Sequence, residues 1–551
     1  MIIPKAVNVQ VAKNATGVRI YIVSTAALIR LSVGTSVLKD SSMPLGISGV
    51  KRGPNYKYWA FGALALGLFT SVVDHGSVNI ALPSVADQFR TSLPTIQWIV
   101  IGYALTISSL LLPMGRMADL IGRTKVYLLG SIIFAFAGGA AGVAPNLATL
   151  ILARIIQGCG AAMTQGTGMA IITATFPESE RGKAIGMVMT VVGVGAIAGP
   201  AVGGLLVGSL GWRWVFFINV PLGLLGVIAS IAILDKERTG DITAANSGNN
   251  FDWMGAVLSA GVLLTLLLTI TNGQKAGWSS PLILAAITGF VALLGGFIWW
   301  ELRVSEPLLE LRLFQHRLFS LGVSASFLTF LGGSAVLFLM PFYLQRVLDY
   351  SPERAGLFVV PAAFCMAVMG PISGRLSDHY GWRRFTVGGL VCSVSGLVIL
   401  TQTSDSSPWF MVMAALILQS IGMGTFYSPN ASSILSEVAR ERYGVVLSFL
   451  NLVRNGANVT SVAMATVIVT ATMAGLGFQP SLDAVGGVEG GRAFTAGLRN
   501  SYTVMACLLI TAMAISAIKG DKPRVSPETP AAGEAIDRET GNGVTALRPN
   551  D

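Results

Sequence analysis

Asp74 stands in the middle of the apolar run SVVDHGSVNIALP, and Arg154 stands in the equally apolar LILARIIQGCGAA. An ionisable group in such surroundings costs several kcal/mol unless it is paired or hydrated, which marks both as functional candidates. A buried carboxyl favours its neutral form and a cationic neighbour favours the ionised one, so Asp74 can alternate between the two. That is the behaviour of a proton carrier. Arg154 needs a carboxylate, helix carbonyls or water; Asp74 is one possible partner, and snorkelling toward the membrane surface is the alternative. Gln157 follows Arg154 at i+3 on the same helix face. His75 points about 100° away from Asp74, so the two need not line one cavity. His75, Asn79, Trp98, Tyr103, Gln157, Gln165, Phe338, Phe364, Tyr427, Asn430 and Asn451 are polar or aromatic residues in apolar runs, and they form the candidate lining of a substrate cavity.

The elements that hold these residues must be membrane helices. Of 551 residues, 53% are hydrophobic and only 12% charged, against about a quarter charged in soluble domains. Windows of about 20 apolar residues place spans at 58–82, 95–114, 126–144, 148–172, 184–208, 213–234, 253–271, 281–300, 319–343, 355–374, 385–402, 409–430, 444–474 and 501–518. The runs are continuous rather than alternating, which disfavours a β-barrel. The net charge of +10 lies in short loops, which suits membrane orientation and argues against nucleic acid. Cys159, Cys365, Cys392 and Cys507 lack CxxC spacing, so neither a disulfide framework nor a metal site is indicated, and no GxxxxGK[ST] loop points to nucleotide-driven chemistry.

The charged island GRMADLIGRTK, from Gly115 to Lys125, returns at Gly374 as GRLSDHYGWRR, in each case after the second span of a set of six. The chain therefore reads as an all-α membrane protein, duplicated, with two extra helices between its halves. The boundaries expected are an amino-terminal cytoplasmic extension over 1–56, a six-helix half over 57–235, a linker with the helix pair over 236–317, a second half over 318–519 and a disordered tail over 520–551. The extension is expected to be loosely ordered, and a start at Met43 would leave an ordinary short basic lead. Lys and Arg concentrate in loops on one side, placing both termini in the cytoplasm. The stretch from Gly475 to Asn500 is expected to be a long, Gly-rich outer loop. Asp119 and Asp378 precede helix starts, where a carboxylate meets the helix dipole while arginines bridge neighbouring helices, as conformational latches would. In the fifth span, glycines at 195, 199 and 203 bare one helix face, and Pro200 permits a bend.

Together these motifs resemble the major facilitator superfamily, specifically its 14-helix drug:proton antiporters. The loop motif is matched by Gly115, Arg116, Asp119, Gly122 and Arg123, the fourth-helix motif by Arg154, Gln157 and Gly158, and the antiporter motif by Gly195, Gly199, Pro200, Gly203 and Gly204. Asp74, Asn79, Ala81, Leu82 and Pro83 match the first-helix motif, and Trp212 to Gly223, WRWVFFINVPLG, is also similar. The resemblance implies alternating access in the cell membrane, proton-linked roles for Asp74 and Arg154, and export of small amphipathic or cationic compounds. It implies no cofactor beyond the proton gradient, and a chain working as a monomer in the lipid bilayer. A symporter importing a solute and a non-transporting sensor are the alternatives. His75-Gly76-Ser77 departs from the first-helix pattern and adds a titratable group and flexibility there.

Overall fold

The computed structural model describes residues 9–14, 17–22, 55–177, 180–235, 252–277, 279–304, 311–438, 443–478, 485 and 487–520. The tail over 521–551 and the rest of the first 54 residues lie outside them. Strands β1 (Val9–Asn14) and β2 (Gly17–Ile22) pair antiparallel, Val9 opposite Ile22 and Asn14 opposite Gly17. This hairpin corrects the expectation of a loosely ordered extension for that stretch. Apolar residues at 18, 20 and 22 carry the period-two signal of a strand. The hairpin belongs to a unit ending at Tyr56, and the helices from Lys57 onward form a second unit.

Among the described residues, 14 helices are long and apolar enough to cross a membrane. The first six are α1 (Tyr56–Phe89), α2 (Trp98–Ile121), α3 (Arg123–Gly142), α4 (Leu147–Thr175), α5 (Arg181–Ser209) and α6 (Asn219–Ile233). The inserted pair is α7 (Trp253–Ala276) and α8 (Pro281–Glu301). The last six are α9 (Arg317–Gly333), α10 (Pro352–Tyr380), α11 (Trp382–Leu400), α12 (Trp409–Leu435), α13 (Tyr443–Gly475) and α14 (Val488–Ile518). Helix α9 is prolonged by Ala335–Phe342 and a π turn over Tyr343–Val347. With an even number of spans, α1 starts and α14 ends on one side, called here the Lys57 end; the other is the far end.

Two expectations need correction. Residues Val488–Asn500 are helical rather than loop. Gly490 and Gly491 read as a turn, but Phe494 and Leu498, four apart, are 0% and 1% exposed and anchor the extra turns. The duplicated motif is likewise not a loop: Asp119 lies in α2 and Asp378 in α10. The chain turns only at the equivalent glycines, Gly122 (φ 108°) and Gly381 (φ 84°), which a side chain would strain.

The glycines of α5 form two stripes rather than one. Gly195, Gly199 and Gly203 meet Val72, Gly76 and Ser77 of α1, whereas Gly193, Gly204 and Gly208 meet Ala367, Gly356 and Glu353 of α10. The first stripe binds α5 within its own half; the second carries it across to the other. Pro200 also touches α1: a Cβ on Gly76 would lie 2.9 Å from its ring. Gly76 and Ser77 therefore serve close packing, with the Ser77 hydroxyl donating to the Gly199 carbonyl at 2.8 Å. The inserted helix α7 packs against α2 and α13, and α8 packs against α7.

The halves are bonded together at the far end. Gln345 Nε2 donates to the Ile80 carbonyl at 3.0 Å, Arg346 Nη2 donates to the Pro83 carbonyl at 3.3 Å, and Arg346 pairs with Asp87. At the Lys57 end, Lys57–Glu180 (2.6 Å), Asp119–Arg123 (2.9 Å) and His316–Glu437 (3.7 Å) each stay within one half. This is the bonding pattern of a state closed at the far end. Exchanging the outer pair one charge at a time should weaken closure, because each single change leaves like charges opposed: Asp87→Arg and Arg346→Asp should each slow transport several-fold and the double exchange should recover most of it. Initial rates in vesicles check this; no recovery in the double variant contradicts a closing role for the pair.

Candidate functional site

The site is built on α1, α2, α4 and α6. Asn146 caps α4 by accepting from the Thr149 amide at 2.9 Å in a reciprocal capping box, which fixes where the helix starts. Arg154 then lies two turns in. Helix α4 approaches α2 through glycine: a Cβ on Gly158 would lie 2.8 Å from the Tyr103 carbonyl, and one on Gly166 would lie 3.0 Å from the Gly115 nitrogen. This closeness lets the guanidinium of Arg154 reach past α2 to α1.

Arg154 Nη1 meets Asp74 Oδ2 at 2.7 Å, with side-chain exposures of 1% and 0%. Snorkelling to the surface is thereby overturned. Arg154 also donates to Gln157 Oε1 at 2.7 Å and to the Ile99 carbonyl at 3.3 Å, and its guanidinium stacks 4.1 Å from the Tyr103 ring. The other carboxylate oxygen of Asp74 accepts from Gln157 Nε2 at 3.3 Å and from Asn219 Nδ2 at 2.5 Å. A charge pair this desolvated survives only with its remaining hydrogen-bonding capacity filled, and Gln157, Asn219 and the Ile99 carbonyl do that while the Tyr103 ring covers the guanidinium. Chemically, the cluster sets one carboxyl group against one fixed cation, whose attraction an unprotonated carboxylate would meet. A proton on Asp74 cancels that attraction and frees Arg154.

Asn219 is absent from the residues singled out by sequence. It lies in the aromatic segment Trp212 to Gly223, where Trp212 packs edge-on to Phe89 and Phe216, with centroids 5.7 and 6.0 Å apart. An amide amid so many large apolar side chains was the available signal. Asn219→Ala removes a donor to the Asp74 carboxyl, an interaction of about 1.5–3 kcal/mol if that acceptor is charged, so transport should fall by roughly 10-fold to 100-fold. Transport assays on variant protein with unchanged thermal stability check this; full activity contradicts a positioning role.

The proposed cavity lining divides. Tyr103 (2% exposed) and Gln157 (0%) belong to the Asp74 cluster, the Tyr103 hydroxyl pairing with Ser71 at 3.1 Å. Phe338 is core, 1% exposed and tilted against Phe342. Asn79 is buried, and its carbonyl oxygen has no hydrogen-bond partner. Asn430 is a correction: its side chain donates to the Gly322 carbonyl at 3.0 Å and accepts from Lys519 at 2.8 Å, so it clamps the end of α14. Burial pushes the Lys519 ammonium down to about 7. A base with a lowered folded value binds fewer protons than the unfolded chain above that point, so stability should rise with pH from about 7 toward 10. Thermal melts should show this slope in the wild type and a flatter one in Lys519→Met. His75, Trp98, Gln165, Tyr427 and Asn451 are half-buried, and Phe364 is exposed.

Among the described latch side chains, the ion pair formed lies within one half. Asp119 pairs with Arg123 of its own half, partly exposed, and Asp378 is exposed at the end of α10. The Arg116 side chain lies outside the described residues. Gly115 serves packing, its Cα side facing the Gly166 carbonyl.

The sequence profile described as the Major Facilitator Superfamily matches residues 64–253, 251–462 and 323–547. The chain belongs to the major facilitator superfamily. Among similar proteins are the riboflavin transporter RibZ of Clostridioides difficile, 32% identical over 71% of this chain and 84% of that protein, and the puromycin resistance protein pur8 of Streptomyces alboniger, 30% identical over 88% and 97%. The fold is shared with a bacterial homologue of the human lysosomal transporter Spinster, at 19% identity and a TM-score of 0.59 over 85% of this chain and 97% of that one. Membership of the superfamily makes this chain a multi-pass membrane transporter of small molecules and not an enzyme, and its 14 spans match the helix number of the antiporters that its motifs resemble.

Proposed function

We propose that the chain is a proton-driven exporter of small amphipathic compounds across the cell membrane, with the Lys57 end in the cytoplasm. The observation that carries this reading is the fully desolvated Asp74–Arg154 pair joining α1 to α4. In one state Asp74 is ionised and locked to Arg154. The substrate-loaded carrier opens its far end along the α5–α10 seam, Asp74 takes a proton from outside as substrate leaves, and loss of the Arg154 contact loosens α1 from α4. Release of the proton inward restores the pair. Orientation rests on the basic residues at the Lys57 end, among them Lys57, Arg123, Lys183 and Arg317. Similar proteins that carry drug-resistance names agree with export, and RibZ shows that the relatives do not share one kind of substrate.

Asp119 acts in the cycle as a latch of the opposite state, when the Lys57 ends of the halves close. Asp119→Asn should then reduce turnover about 10-fold, roughly 1.4 kcal/mol on the limiting step, and leave substrate affinity unchanged. Binding titrations beside transport rates separate the two; lost affinity contradicts that division of labour. The reading as a whole is tested by transport in proteoliposomes under an imposed pH gradient, wild type against Asp74→Asn.

A further inference from the structure

Arg454 is a further arginine inside a membrane span, and the Asp74 cluster does not use it. It lies eleven residues into α13 and five past the start of that helix's apolar span at Phe449, about 7.5 Å along the axis. Its guanidinium sits 5.9 Å from the Tyr427 ring of α12. Arg454 therefore faces a neighbouring helix rather than lipid, on a helix that also packs against α2 of the other half. Gly456, two residues on, turns instead to Leu263 of the inserted helix α7.

The charges around it do not balance. Asp74 offsets Arg154, the two being in contact at 2.7 Å. Among the described residues, Arg454 has no carboxylate within ion-pair distance. Its neighbours in sequence at i−3 and i+1, Asn451 and Asn455, are half-buried amides. An arginine at this depth with no counterion is expensive unless water or a bound anion compensates it. A planar guanidinium fork flanked by amides and a phenol suits a flat oxyanion such as a carboxylate, phosphate or sulfonate.

We infer that Arg454, with Asn451, Asn455 and Tyr427, forms the anion-binding part of the substrate site, so that the compounds carried are aromatic or amphipathic organic anions rather than cations. This rests on the exporter reading for its direction of transport, but the binding claim stands apart from it. It also revises the expectation of cationic substrates.

A pair of xanthene dyes that differ in charge tests it: fluorescein, anionic at pH 7.5, and rhodamine 123, cationic. Binding of each to the purified full-length protein is read by fluorescence polarisation. The wild type should bind fluorescein at least 10-fold more tightly than rhodamine 123. Arg454→Gln should lose that preference, and Arg454→Lys should retain part of it, while melting temperature stays within a few degrees. Equal or tighter binding of rhodamine 123 by the wild type overturns the inference, as does a preference unchanged in Arg454→Gln, or absence of fluorescein binding altogether. Selective binding without transport driven by a pH gradient would instead sink the exporter reading and leave the anion site standing.

Discussion

Asp74→Asn should abolish transport driven by a pH gradient, by at least about 100-fold, while leaving the protein able to bind substrate. The asparagine keeps the volume and one acceptor but cannot exchange a proton, so the alternation between locked and released Arg154 ends. The substitution also leaves Arg154 buried without its counter-charge. Removing one partner from a buried pair costs about 3–5 kcal/mol, so the single variant should melt at a lower temperature. Asp74→Asn with Arg154→Gln removes both charges and should recover most of that stability. It should not recover coupling. This pattern separates a proton carrier from a structural carboxylate: for the latter, transport would return together with stability. Initial rates and thermal melts on the same preparations decide between them.

The second large effect is expected at the seam between α5 and α10. A Cβ on Gly204 would lie 2.7 Å from the Pro352 carbonyl, closer than real Cβ atoms come, and a tight 3.1 Å from the Gly356 Cα. Backbone cannot give way as the end of a long side chain can. Gly204→Leu must therefore push α5 off α10 and hold the far end apart, and transport should fall below detection in a folded protein. Gly199 packs within its own half instead, so Gly199→Leu should destabilise the fold rather than arrest the cycle. The far-end state can be read by an impermeant maleimide in a background lacking Cys159, Cys365, Cys392 and Cys507. A cysteine at Gln345, which bonds to the Ile80 carbonyl in the closed state, should label slowly in that background and several-fold faster with Gly204→Leu. Slow labelling in both would show that the seam does not govern closure.

Much of this arrangement is legible in the chain. Continuous apolar runs give the helices, and the repeated GRMADLIGRTK and GRLSDHYGWRR give the duplication, because lipid allows few other ways to satisfy the backbone. Two opposite charges in apolar spans make a pair plausible, and the structure supplies the contact. The i+4 glycines predict a bare face, but not that a second stripe through Gly204 serves the other half, since spacing alone does not name a partner. Asn219 stays hidden because a neutral amide among aromatics carries little charge signal. Asn430 misleads for the converse reason: its partner, Lys519, is 89 residues away at the end of α14. Arg454 is visible as a charge in an apolar helix. Its meaning depends on Tyr427, which only the fold brings near.

The central claim is that substrate and proton move in opposite directions through one carrier, Asp74. The most direct measurement is external pH in a weakly buffered suspension of proteoliposomes loaded with whichever of the two dyes the protein binds, after dilution into dye-free medium. With outward dye flux through wild-type protein, the medium should turn alkaline as protons are drawn in, and Asp74→Asn liposomes should show neither change. Acidification of the medium during dye efflux, or efflux without any proton movement, would contradict the account.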